Sequence, residues 1–155
     1  MQKTVIYVTV TILLLLSCVS CNSQNSKSFD IRGNWYNYND SKSSDIFYIE
    51  TFFGDDYFQS FNENGGLMPS KKYIIKKDKI YLVPRNGGDL NIYATFKLHD
   101  STLEITANNE TIKLKRIISK KGTLEEYINR LISEKEFWQS FNLRKINWEN
   151  SRSPN

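Results

Sequence analysis

The sequence predicts a mainly β protein: an antiparallel up-and-down β-barrel of about eight short strands, with one C-terminal α-helix packed outside. Three observations carry that expectation. From Phe29 to about Ile118, runs rich in Tyr, Phe, Ile and Thr alternate with turn clusters, giving about eight candidate strands spaced near eleven residues apart. Regular spacing of that kind marks an all-β sandwich or barrel. The connections between the last runs have two to five residues, which suits hairpins and is too short for parallel crossovers. After the strands comes a capped segment with helical periodicity, beginning at Thr123.

The first residues read as a processing signal rather than as fold. Lys3 supplies a positive start, and Val5 to Leu16 is an uncharged apolar run of twelve residues. That is the length of a secretory core and too short to span a bilayer. It leads into Leu15-Leu16-Ser17-Cys18-Val19-Ser20-Cys21, which holds both cysteines of the chain. A redox C-x-x-C pair would need a βαβ setting, and a zinc site would need more ligands than the single His99 offers. The stretch resembles a bacterial lipobox, with Leu15 three before Cys18 and a small residue just before it. That resemblance implies residues 1–17 as a lipoprotein signal peptide and Cys18, or alternatively Cys21, as the acylated residue (a palmitate-type anchor). Cleavage there leaves 138 residues, enough for one domain, and lowers the net charge from +4 to +3 because only Lys3 is lost. Bases and acids are interspersed, which argues against nucleic acid as a partner. With no cysteine after Cys21 the fold relies on a packed core rather than on disulfides.

Residues 18–28 form a tether, because Asn22 to Ser28 is wholly polar. Residues 29–118 hold the strands. "FDIRGNWYNY" (29–38) supplies the first, aromatic-rich one. Asp45 to Phe53 is apolar on both faces, with Ile46, Tyr48 and Phe52 on one and Phe47, Ile49 and Phe53 on the other, so it demands cover on both. The last three strands alternate cleanly. Leu90, Ile92, Ala94, Phe96 and Leu98 face one way, Leu103 and Ile105 follow, then Ile112 and Leu114, all separated by polar residues or Tyr93. One buried and one wet face is the signature of an antiparallel sheet. Asn108-Asn109 suits a tight turn because Asn tolerates positive φ.

Residues 119–155 form the helix and tail. Thr123-Leu124-Glu125-Glu126 is a capping box, and Leu124, Tyr127, Ile128, Leu131 and Trp138 recur at helical spacing. The spacing predicts one helix over Leu124–Gln139, its stripe against the barrel wall. In the tail, Phe141, Leu143, Ile146 and Trp148 are candidates to dock, and Asn150–Asn155 to fray.

No catalytic set presents itself, so the chain reads as not an enzyme. His99, beside Asp100 and Ser101 at a strand end, reads as a turn histidine rather than part of a triad. Asp55-Asp56 lacks the spacing of a calcium loop, and Asn86-Gly87-Gly88 lacks the helix and Lys of a phosphate loop. No cofactor and no metal site is expected.

"FDIRGNWYNY" resembles the first-strand signature of the lipocalins, through Phe29, Asp30, Gly33, Trp35 and Tyr36. The resemblance implies that Trp35 plugs the closed end of the barrel and that Arg116, in "IKLKRI", lies across its ring, with a helix following. The stretches "FNENGGLMPSKKYIIKKDKIYLVP" and "DSTLEITANNETIKLKRI" are similar to compact lipocalin-like domains of Bacteroidetes-type lipoproteins. That likeness implies a lipid-anchored protein of the bacterial cell envelope, at the outer membrane. Surface-export signals of such proteins carry acidic residues soon after the cysteine, and "NSQNSK" has none, which points to the periplasmic side.

Two functions follow as expectations. One is a membrane-anchored carrier binding a small apolar ligand inside the barrel, against Ile92, Ala94, Phe96, Leu103 and Ile105. There Ala94 matters most, because a small residue between two large ones leaves room, and Ala94→Phe is expected to block binding without harming the fold. The alternative is a protein-interaction module, an envelope inhibitor or immunity-type protein. It would have a filled barrel and exposed aromatics between Trp138 and Trp148 that engage a protein partner.

Overall fold

A computed structural model describes residues 30–38 and 47–152. The signal segment 1–17, the tether 18–28 with Cys18 and Cys21, and Ile46 lie outside the described residues.

Period-2 patterning becomes nine strands: β1 (Gly33–Asn37), β2 (Ile49–Phe53), β3 (Tyr57–Asn62), β4 (Gly66–Leu67), β5 (Lys71–Lys76), β6 (Lys79–Leu82), β7 (Asn91–His99), β8 (Thr102–Ala107) and β9 (Glu110–Arg116). All pairings are antiparallel. Hydrogen bonding runs β2-β1-β9-β8-β7-β6-β5-β3, and a further β2–β3 pairing closes the ring into an eight-stranded barrel. Strand β4 is a short extra pairing on β3. The expected turn at Asn108-Asn109 forms with φ of 51° and 66°, leaving Ala107 opposite Glu110. Positive φ at both central residues matches the right-handed twist of the flanking strands. Three of the strand-to-strand turns thus have two residues, at Lys77-Asp78, Asp100-Ser101 and Asn108-Asn109.

Alternation sorts the side chains into two cores. Inside the barrel are Trp35, Phe53, Phe58, Tyr73, Ile80, Ala94, Phe96, Leu103, Ile105 and Leu114, with Ile31 beneath them. Outside lie Tyr48, Phe52 and Phe61, covered by Leu124, Phe137, Phe141 and Trp148. The two-sided strand has cover at Phe53 inward and at Phe52 and Tyr48 outward, whereas Phe47, expected on the face of Phe53, is 60% exposed.

The helix differs from expectation. Instead of one helix over Leu124–Gln139 there are two, α1 (Leu124–Ile128) and α2 (Glu134–Arg152). Helix α1 starts on the capping box read from the sequence and stops at Asn129, after which Arg130 takes φ 58°. Helix α2 restarts on a second box. Ser133 Oγ accepts from the Glu136 amide, and the Glu136 carboxylate accepts from the Ser133 amide and hydroxyl. Local capping at both points outweighs continuing the helix. The break rotates the stripe, so Phe137, Phe141 and Trp148 are buried while Leu131 is 71% exposed. Leu143 and Ile146 stay exposed, and the helix runs on to Arg152 rather than fraying from Asn150. The expected exposed aromatics between Trp138 and Trp148 are thus corrected: Phe141 and Trp148 are buried and Trp138 is half-buried, because the outer face of β2 and β3 offers them a partner.

Candidate functional site

At one end of the barrel the floor is built by Trp35 and Arg116, register partners on β1 and β9. The Arg116 guanidinium lies 4.2 Å from the centroid of the Trp35 ring, and its Nη1 donates to the Arg32 carbonyl at 2.7 Å. The indole N–H of Trp35 donates to the Ile31 carbonyl at 2.8 Å. Gly33 is needed at φ 117° beside this pair, since a Cβ there would come within 2.9 Å of Arg116 Nη1. An arginine over an indole adds about 1 kcal/mol beyond burial.

Above the floor, buried apolar side chains of the described residues pack against one another across the interior. Phe53, Phe58 and Tyr73 meet with ring centroids 5.4 to 6.0 Å apart, and the Tyr73 hydroxyl donates to the Gly54 carbonyl. Of the expected wall residues, Ala94, Phe96, Leu103 and Ile105 do point inward, but as members of this packed core. Ala94 is 2% exposed. A phenyl ring there would overpack the core rather than merely occupy a cavity, so the expected harmless Ala94→Phe change is corrected. Ile92 is 57% exposed. The pairing of β6 with β7 shifts between Ile80 and Tyr81, which face Ala94 and Ile92 with Tyr93 left over. Such a bulge re-aims the next side chain, and Tyr93, itself 37% exposed, brings its ring to 5.8 Å from that of Phe58.

The space left lies at the other end, where the connections after β3 and β6 meet. A basin of about 730 Å³ opens there, lined by Lys71, Lys72 and Arg85 together with Leu82, Val83, Pro69 and Pro84, and by no carboxylate. Lys71 lies on the same face of β5 as inward Tyr73, and its Nζ is 5.4 Å from the Tyr93 centroid and 6.0 Å from that of Phe58. The ammonium therefore rests on the upper surface of the aromatic plug. An apolar floor under a cation can hold the charged head and the first carbons of an amphiphilic anion. His99 is exposed at the end of β7.

A third constellation escaped the sequence reading. Glu50, on the outward face of β2, is fully buried beneath α2. Arg144 grips it through both arms, Nε to Oε1 at 2.7 Å and Nη2 to Oε2 at 3.0 Å, and Nη2 also donates to the Gly122 carbonyl. The Tyr48 hydroxyl donates to Oε1 at 2.8 Å. Burial pushes the Glu50 carboxyl above its ordinary value, while Arg144 and Tyr48 pull the other way. Burial, then the neighbouring Glu50 charge, drive the Tyr48 phenol far above its ordinary value, so it stays a donor. With no buried polar atom of the trio left without a partner and α2 pinned by it, the arrangement reads as structural. Its signal was the period itself, since Glu50 shares the face of Tyr48 and Phe52.

Comparison with protein-family models, curated proteins and solved structures finds no match to this chain.

Proposed function

We propose that the chain is a membrane-anchored lipoprotein of the cell envelope whose lipocalin-like barrel binds a small, largely apolar ligand. The ligand sits at the barrel mouth rather than deep inside, with a negatively charged head against Lys71. One observation carries this reading: the basin beside Lys71, which joins Lys71, Lys72 and Arg85 to apolar walls with no acidic residue in its lining. The packed interior favours a second reading, a protein-interaction module whose barrel is only a scaffold. Of the tail aromatics, that reading no longer has Phe141 and Trp148, which are buried, and keeps only half-buried Trp138.

Native mass spectrometry of the full chain, released gently from envelope extract and then supplied with decanoate, separates the two. A bound anion that is lost in Lys71→Glu supports the basin. An unliganded mass in both preparations, with decanoate in excess, would overturn ligand binding and leave the scaffold.

A further inference from the structure

A second crevice lies outside the barrel, along the seam where α2 crosses β1 and β9. We propose that it binds a small organic anion built on a ring, its carboxylate or phosphate against Lys115 and its ring against Tyr36 and Tyr38.

The crevice has about 450 Å³, which suits a single ring with its substituent. Its lining includes Lys115, Arg116 and Arg144 and no acidic side chain. Arg144 is committed to Glu50, and Arg116 to the barrel floor. Lys115 is not so engaged: among the described residues its ammonium meets no carboxylate and rests 3.7 Å from the centroid of the Tyr38 ring. Tyr36 and Lys115 are register partners, so their side chains leave the barrel wall side by side. An anion reaching Lys115 therefore has the Tyr36 ring beside it and the Tyr38 ring beneath the ammonium. Stacking on those rings and pairing with the cation are compatible in one pose.

The floor is preorganised. Tyr48 and Trp148 meet at 5.5 Å, and the Trp148 indole N–H is held by the Asn37 carbonyl at 2.9 Å. Opposite the tyrosines, α2 presents the Asn147 amide, with both a donor and an acceptor for ring substituents. This site shares no residue with the basin at the barrel mouth and does not depend on it.

The three tryptophans make the test site-specific, because Trp35 reports on the floor, Trp138 on the outer edge of α2 and Trp148 on the crevice. The ¹⁵N-labelled full chain in detergent is titrated with benzoate and with phenyl phosphate, and with benzamide as the uncharged comparator. Both anions should move the Trp148 indole resonance saturably at about 10 mM or below, leave that of Trp35 in place, and bind about tenfold more weakly to Lys115→Glu. Whichever anion binds more tightly identifies the head group preferred. Benzamide binding as well as benzoate, no saturable movement at Trp148, or an unchanged response in Lys115→Glu would overturn the inference. Movement confined to residues of the barrel mouth would overturn it too, while supporting the basin.

Discussion

Inside the barrel, Phe53, Phe58 and Tyr73 meet ring to ring at 5.4 to 6.0 Å, and Ile80, Leu103 and Leu114 complete a core of apolar atoms. Beneath α2, Phe61, Phe137 and Phe141 meet at 4.8 to 5.8 Å, but the same face also encloses Glu50 and Arg144. The first core is continuous with the strands that build it. The second joins elements far apart in the chain, and a buried ion pair fixes where they meet. Apolar packing holds many docking angles nearly equally well, whereas a bidentate carboxylate–guanidinium pair accepts one. The comparison teaches that β-sheet closure sets the inner core, while the outer core needs a polar register mark.

The largest test asks whether the two regions are one cooperative unit. Phe53→Ala inside and Phe141→Ala under α2 should each cost about 3–5 kcal/mol. Urea unfolding followed by circular dichroism and by tryptophan fluorescence should give coincident transitions in both variants. A Phe141→Ala protein that loses α2 signal well before sheet signal would mean that the outer core is a separate layer.

A smaller effect isolates the register mark. Arg144→Met leaves Glu50 buried without its partner and should cost about 3 kcal/mol, near the lower end for broken buried pairs, since 17% of the Arg144 side chain is still exposed. The double change with Glu50→Leu should recover most of that loss, because a buried pair is replaced by apolar volume. Recovery of stability together with broadened NMR signals along α2 would assign the pair to positioning. Sharp, native-like signals in the double variant would remove that role.

The smallest concerns the restart of α2. Ser133→Ala should cost about 1 kcal/mol. The Ser133 amide and hydroxyl hold the Glu136 carboxyl below its ordinary value. A lowered folded pKa means that the contribution is present above the ordinary carboxylate value and is lost as pH falls through the lowered one. The protection of the Phe137 amide relative to its intrinsic exchange rate, its N–H donating to the Ser133 carbonyl, should therefore fall in acid. In Glu136→Gln that acid sensitivity should vanish, and its persistence would show that the Glu136 carboxylate does not hold the first turn.

Much of the barrel was legible because alternation is a local property. The residues of β8 and β9, and of β7 from Ala94 onward, announce their faces by period alone, and two-residue turns announce the hairpins. The β2 strand, apolar on both sides, even announced that something must cover it. The bulge at Tyr93 was hidden because Ile92 and Tyr93 are both apolar enough to point inward, so only the pairing with β6 decides. The helix break was hidden because apolar spacing read smoothly through Leu131, although Ser133-x-x-Glu136 was present as a second start signal. The basin was missed because Lys71 stands in a lysine-flanked strand, where an inward lysine looks the same as an outward one. Glu50 and Arg144 are 94 positions apart, and no local pattern joins them.

Strand β1 finds its ladder partner in β9, and its neighbour β2 is roofed by the chain's final helix, tied down through Trp148 to the carbonyl of Asn37. A polypeptide appears from the ribosome N-terminus first, so β1 keeps one edge unpaired until β9 has emerged. Long waiting of this kind slows folding and leaves an edge open to wrong pairing. A chain cut back by the last two turns of α2 would keep Phe137 and Phe141 over the outer face of β2 and β3 but lose Trp148, and with it the tie to Asn37.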